Sequence, residues 1–318
     1  MTPPTAQDVH DALTRIAPHI VHTPMLRNAA LDRLTGGTIL IKPEVLQRTG
    51  SFKLRGATNA LRRLSPEQLS KGVVAYSSGN HAQAVACAAA ALGAAATIIM
   101  PSDAPAIKRR HTESWGARII PYERANEDRA AIAAALCAES GATLIPPYDH
   151  PDVIAGQGTL ALELFADATA AGHSIDTLLV CCGGGGLIAG CALAAASVSP
   201  ATRIYAVEPA DWDDTARSLK SGTRERNTPG GSLLCDALMA ATPGELTFPI
   251  NHRLLAGAFT VTDTQVRQAM RFAFEHLKLA VEPGGAVALA ALLAGHAHHQ
   301  TTAIILSGGN VDPGVLGI

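Results

Sequence analysis

Lys53 is the residue whose neighbours could most directly do chemistry. It follows Thr49-Gly50-Ser51-Phe52 and precedes Leu54-Arg55-Gly56-Ala57, and the run from Ala57 to Leu64 reads as a helix. A lysine where a loop enters a helix lies beside the positive end of the helix dipole, which favours the neutral amine. Burial lowers a lysine pKa further. A neutral amine at pH 7 attacks aldehydes, so the chemistry suggested is Schiff-base formation. A solvated surface charge is the ordinary alternative for a lysine taken alone.

Four other loops carry chemistry-bearing residues. Gly183, Gly184, Gly185 and Gly186 follow an apolar strand and open a small-residue helix at Leu187. Backbone N–H groups with no side chains in the way, at a helix N-terminus, form an anion site suited to phosphate. A tight turn is the alternative. Ser77-Ser78-Gly79-Asn80-His81 is a second strand-to-helix turn of mostly small and polar residues, which equally suits a helix cap. Ser307-Gly308-Gly309-Asn310 ends the last strand with a hydroxyl, and Glu282-Pro283-Gly284-Gly285 is a turn with a carboxylate. One rival is a dinucleotide site. Gly184-Gly185-Gly186-Leu187-Ile188-Ala189 fits a G-x-G-x-x-A fingerprint, with Glu208 near where a ribose-binding acid would lie. That rival leaves Lys53, Ser77–Asn80 and Ser307–Asn310 unexplained. The six cysteines show no metal-ligand spacing, and His296, His298 and His299 read as a polar helix end.

The elements that must position these residues alternate. Strands are expected at Thr38–Lys42, Gly72–Tyr76, Ala96–Met100, Arg118–Pro121, Thr143–Ile145, Leu178–Cys182, Ile204–Glu208 and Thr302–Leu306. Helices are expected at 6–18, Ala82–Leu92, Ala106–Trp115, Asp128–Glu139, Gly156–Ala168, Leu187–Ala195, Thr264–Leu279 and Gly285–Leu293. Residues 209–250 read as irregular. Strand–helix alternation is the pattern of parallel sheets covered on both faces, with sites at the strands' carboxyl ends.

The chain has 318 residues, 47% of them hydrophobic but only 4% aromatic, so its core must be built from Ala, Val, Leu and Ile. The net charge of −2 and scattered basic residues argue against a nucleic-acid partner. No apolar run reaches the ~20 residues of a membrane span. The N-terminus lacks a basic and an apolar leader region, so a cytoplasmic protein is expected.

Taken together, the five loops resemble the fold type II family of pyridoxal-phosphate enzymes, in its serine/threonine dehydratase and serine racemase branch. The stretches that carry the resemblance are Thr49–Ala57, Ser77–His81, Val153–Thr159, Gly183–Gly186, Glu208-Pro209, Glu282-Pro283 and Ser307–Asp312, in family order over nearly the whole chain. The resemblance implies an α/β fold of two open parallel-sheet, three-layer domains like tryptophan synthase beta. Residues 1–45 and 145–318 would form a large cofactor-binding domain, and 46–144 a small domain that closes on substrate.

Residue by residue, the resemblance implies that Lys53 holds pyridoxal 5'-phosphate as a Schiff base, with Phe52 against the ring. Asn80 would bond the cofactor's 3-hydroxyl oxygen. Gly183–Gly186 and the Leu187 N–H would hold the phosphate. Ser307 would face the pyridine nitrogen, with Glu282 also at the cofactor. Ser77, Ser78, Gly79, Asn80 and His81 would receive the substrate carboxylate, and Ser78 would be an acid/base opposite Lys53. Glu208, the Trp212 carbonyl and Asp214 match a divalent-cation site for Mg2+ or Ca2+, with an exposed acidic turn as the alternative. Arg129 falls where racemase-like members place a substrate-side arginine, but the loose alignment favours a solvated helix face.

The expected activity is α,β-elimination of ammonia from L-threonine or L-serine. Serine racemisation and 3-hydroxyaspartate ammonia-lyase activity are the alternatives within the family. A small-molecule amino-acid substrate and a homodimer are expected, and the chain's end soon after Asn310 implies no regulatory domain. Asp236-Ala237 departs from the family's usual Asp-Gly, which leaves the substrate open.

Overall fold

The structure is a computed structural model that describes residues 1–104 and 106–316. Ten strands form two sheets. They are β1 (Leu26–Arg27), β2 (Thr38–Pro43), β3 (Val73–Tyr76), β4 (Ala96–Pro101), β5 (Arg118–Tyr122), β6 (Thr143–Leu144), β7 (Thr177–Cys181), β8 (Arg203–Pro209), β9 (Gly257–Val261) and β10 (Thr301–Leu306). The six-stranded sheet runs β1-β2-β10-β7-β8-β9, and the four-stranded sheet β5-β4-β3-β6. Every pairing is parallel except β1 with β2. Parallel strands are covered by helices on both faces and so are apolar throughout. β7 is buried at all five positions and β10 at five of six.

Few aromatics leave the packing to small side chains, and the core is accordingly rich in Ala, Val, Leu and Ile. Alanine lets helices approach one another closely. The helix Asn80–Ala91 buries every residue from Asn80 to Ala89. The helices Pro151–Ala170 and Gly186–Val198 cross where Gly158 meets Gly190 backbone to backbone; a Cβ on Gly158 would stand 2.5 Å from the Gly190 carbonyl oxygen. Among the described residues no helix is long and apolar enough to cross a membrane.

Several elements differ from the sequence pattern, each for a local reason. The lysine helix begins at Lys53, four residues before Ala57, because Phe52 already has helical dihedrals. The helix expected from Gly156 begins at Pro151, with proline in its first turn and His150 Nδ1 accepting from the Asp152 N–H at 3.2 Å. The stretch 209–250 is not wholly irregular. It holds the helices Asp214–Ser221 and Thr247–Leu254. The helix from Asp263 ends at Phe272 in a π turn, and Lys278 follows at φ 60°. Two short helices, Ala29–Thr35 and Pro66–Lys71, escape an apolar-period search. Their caps are legible: Asn28 with Gly36, and Ser65 with Gln68.

Candidate active site

The strands' carboxyl ends converge on a cavity of about 220 Å³ between the two sheets, lined by residues of both layers. Its walls include Phe52, Lys53, Ser77–His81, Gly183–Leu187, Glu282 and Ser307, so the five loops meet in one place. Glu208, Trp212 and Asp214 lie outside it.

Lys53 is the first residue of its helix. Its Nζ donates to the Pro147 carbonyl at 2.8 Å and lies 5.1 Å from the Phe52 ring centre. Burial pulls its pKa down to about 8, and Cys181 and Glu282 only partly oppose this. The helix itself is held by a buried ion cluster. Arg55 donates from Nε to Glu44 and from both terminal nitrogens to Glu163, each at 2.8 Å, and Lys42 Nζ reaches Glu163 at 2.8 Å. Arg55 and Glu44 are fully buried and Glu163 nearly so. Two cations and two anions thus fix the backbone two residues beyond Lys53 on the six-stranded side.

The glycine loop admits no side chains. A Cβ on Gly184 would run into the Tyr148 ring, and one on Gly186 into Tyr148 at 2.9 Å. Gly185 sits at φ +91°, where L side chains are strained. The first-turn N–H groups of Gly186–Val198 have no intrahelical partner and face the same cavity wall. This is a cradle for a phosphate.

Across the cavity, Ser307 is pinned by its carbonyl, which accepts from the Phe52 N–H at 3.0 Å. Its Oγ accepts from the buried Cys181 thiol at 3.1 Å. Asn80 is spanned by two partners: its amide nitrogen donates to Glu282, and its oxygen accepts from Asn310 at 2.7 Å. Burial raises Glu282 to about 7, even with Lys108 nearby. In the Ser77–His81 turn, the Ser77 N–H bonds the Ile99 carbonyl at 3.0 Å and the Gly79 N–H bonds Ser77 Oγ at 3.1 Å. Two of the turn's N–H groups are therefore already engaged. The Ser78 side chain lines the cavity.

Three side chains at the site escape the sequence pattern. Lys108 Nζ donates to Asp236 at 2.7 Å and lies 4.0 Å from Glu282. Burial would lower its pKa, but the two carboxylates more than offset this and hold the ammonium. This pair joins the helix Ala106–Ser114 of the four-stranded layer to the turn at Asp236–Leu238 in the other. The approach needs Gly79, whose Cβ would stand 2.9 Å from Lys108 Cδ. Tyr76 and Tyr148 complete the wall. Arg129 is exposed, as a solvated helix face predicts. Its guanidinium nevertheless lies 5.2 Å from the Tyr76 ring centre and lines the cavity. No local signal in the Lys108-Arg109-Arg110 run marks its first member as buried.

The candidate cation ligands form a separate feature. Glu208, at the end of β8, accepts from the backbone N–H groups of Thr215 at 3.0 Å and Ala216 at 2.8 Å. Asp214 accepts from Asn227 through one carboxylate oxygen, and the other is buried without a partner. Two adjacent buried carboxylates with an orphaned oxygen fit a missing cation. Among the described residues, no three His, Cys, Asp or Glu side chains cluster as a metal site, so a cation here needs backbone oxygen as well. The histidines near the C-terminus are otherwise engaged: His296 stacks on Phe259 at 4.2 Å, and His298 bonds the Leu292 carbonyl.

A half-buried amine with lowered pKa, a side-chain-free anion cradle and a hydroxyl on the third side define an α/β enzyme site fitted to a phosphorylated aldehyde cofactor. The chain belongs to the pyridoxal-phosphate dependent enzyme family, whose model matches residues 16–308. It is 46% identical to the L-threo-3-hydroxyaspartate ammonia-lyase of Saccharomyces cerevisiae, over 98% of this chain and 95% of that protein. It is 41% identical to a serine racemase of Oryza sativa subsp. indica, over 98% and 93%. A solved threonine deaminase from T.th. superposes with a TM-score of 0.93 at 43% identity, covering 97% of this chain and 99% of that one. The fold is therefore that of the fold type II enzymes, and the cofactor is pyridoxal phosphate.

Proposed function

We propose that this enzyme eliminates ammonia from a 3-hydroxy amino acid bearing a second carboxylate, of the 3-hydroxyaspartate class, to give the 2-oxo acid and ammonia. The observation that carries the substrate class is Arg129. Apart from Lys53, which serves as the base, it is the cavity-lining cation with no carboxylate partner among the described residues, whereas Lys108 is paired with Asp236. A guanidinium is shaped to grip a carboxylate through two parallel hydrogen bonds. Threonine and serine, the substrates the sequence alone favours, have no second carboxylate to present to it once the α-carboxylate lies on the Ser77–His81 turn. The hydroxyaspartate ammonia-lyase among the relatives supports the same reading.

Lys53 would hold the cofactor, and the N–H groups of Gly183–Gly186 and Leu187 would hold its phosphate. Asn80, braced by Glu282 and Asn310, would meet the ring hydroxyl. Phe52 would pack beside the ring, and the Ser307 hydroxyl would face its nitrogen. When bound, the cofactor's conjugated ring accepts the electron pair left as the α-proton departs. The substrate's α-carboxylate lies on the Ser77–His81 turn, which orients the Cα–H bond toward Lys53. Lys53 Nζ takes that proton and returns it to the departing β-hydroxyl, which leaves as water; hydrolysis of the enamine released afterwards gives the 2-oxo acid and ammonia. Ser307, a hydroxyl rather than a carboxylate, would not hold a proton on the ring nitrogen, which suits elimination. Glu208, Asp214 and the Trp212 carbonyl would hold a divalent cation away from the reacting atoms.

A second reading is racemisation, with the Ser78 hydroxyl returning a proton on the face opposite Lys53; its place on the cavity wall favours it. One panel tests both. The loaded enzyme is given 3-hydroxyaspartate, serine and threonine, and ammonia, 2-oxo acid and product chirality are scored. 3-Hydroxyaspartate should have the highest kcat/KM. Arg129→Met should lower its advantage over serine about 10- to 100-fold, the worth of a hydrogen bond to a charged group. Equal or better turnover of serine or threonine by the unmodified enzyme defeats the dicarboxylate assignment. Racemised serine that persists in Ser78→Ala excludes Ser78 as the second base.

A further inference from the structure

His81 is buried and lines the active-site cavity, but its imidazole has no part in the chemistry above. Its Nε2 lies 2.8 Å from the Ile145 carbonyl oxygen. A carbonyl only accepts, so Nε2 must carry the hydrogen and Nδ1 must be a bare acceptor. That Nδ1 is sealed from solvent and has no hydrogen-bond partner. A buried acceptor left empty is costly, and water does not reach this one.

The segment that fixes the ring also holds the amine. Ile145 carries the carbonyl that binds His81, and Pro147, two residues on, carries the carbonyl that binds Lys53 Nζ. The charge of Lys53 also bears on His81. Burial first, then Lys53, keeps the imidazole neutral, with its pKa pushed down to about 3. The ionisable groups that bear on Lys53 are Cys181 at the end of β7 and Glu282 ahead of the helix Pro283–Leu293, while His81, from the helix Asn80–Ala91, lines the same cavity. Cys181 is held protonated by burial. Once Lys53 has taken a proton it has three N–H bonds to place from a half-buried position. Pro147 satisfies one.

We infer that His81 Nδ1 accepts a second hydrogen bond from the Lys53 ammonium whenever Lys53 is free of the cofactor and carries a proton. His81 is then a positioning residue. It orients the amine toward the substrate's α-carbon and raises its basicity while itself staying neutral. This rests on Lys53 being the base of the proposed reaction. The failure of that reading shows separately, as a loaded enzyme without cofactor absorbance on Lys53.

Two measurements test the inference. In the full-length, cofactor-free protein with 15N-labelled histidine, His81 should show a protonated Nε2 and a bare Nδ1. The Nδ1 resonance should follow the titration of Lys53 near pH 8. A proton resident on Nδ1, or an Nδ1 signal unmoved while Lys53 titrates, overturns the proposal without any variant. In the loaded enzyme, His81→Phe should lower kcat and move the acid limb of its pH profile down by about one pH unit, because the ammonium has lost an acceptor. His81→Asn, which keeps an acceptor oxygen, should restore most of both. A folded His81→Phe enzyme with an unshifted acid limb also overturns it.

Discussion

At the scale of residues, the site depends on one amine kept partly neutral. With its pKa near 8, Lys53 is mostly ammonium at neutral pH, and only the neutral fraction attacks an aldehyde. The rate at which the cofactor-free protein captures pyridoxal phosphate, followed by visible absorbance, should therefore rise about tenfold per pH unit well below 8 and level off above it. Lys53→Ala should capture none. A rate indifferent to pH across about 6 to 9 would contradict the titration of this amine. The same reasoning explains why Glu282 can sit close by. Burial lifts its pKa to about 7, so near neutrality it is only part-charged and only partly opposes the lowering of the lysine's pKa.

At the scale of elements, the lysine helix is held by charge rather than by an apolar stripe alone. Arg55 lies between Glu44 and Glu163, with Lys42 on the far side of Glu163. Removing the central cation leaves two buried carboxylates against one ammonium. Arg55→Met should therefore cost about 3–5 kcal/mol, the range seen when a buried pair loses one partner, measured by denaturant unfolding. A loss below about 1 kcal/mol would mean the cluster is not closed as described. Such clusters often contribute specificity of placement more than net stability. Here the placed object is the helix start that carries Lys53.

At the scale of the whole molecule, two parallel sheets turn their carboxyl ends to one cavity, and the candidate cation ligands lie beyond it at the end of β8. A cation there would neutralise Glu208 and Asp214 and satisfy the orphaned Asp214 oxygen. Ligand that binds only the folded chain stabilises it, by about 2.7 kcal/mol at a hundred times Kd. Added Mg2+ or Ca2+ should raise Tm by a few degrees, and Glu208→Gln should abolish the rise. An unmodified protein whose Tm ignores both ions would show that the two carboxylates serve only as helix-terminal hydrogen-bond acceptors.

The residues proposed to hold the cofactor were legible in the chain itself. Lys53, Ser77–Asn80, Gly183–Gly186 and Ser307 lie at strand ends or helix starts, where local rules of period, turn and cap place them in sequence order. The alternation of apolar strands with helices likewise marks a parallel α/β fold, because a strand covered on both faces has no polar side to show. The charged walls were not legible. Lys108 sits on a helix whose local pattern reads as solvated, and only packing across the cavity turns it onto Asp236. Arg129 is exposed as its pattern says, but its reach over Tyr76 is set by how its helix lies against β3. The same holds for the partners of His81 and Lys53. Their hydrogen bonds go to carbonyls more than 60 residues away, and no local pattern encodes which distant backbone oxygen a buried side chain will meet.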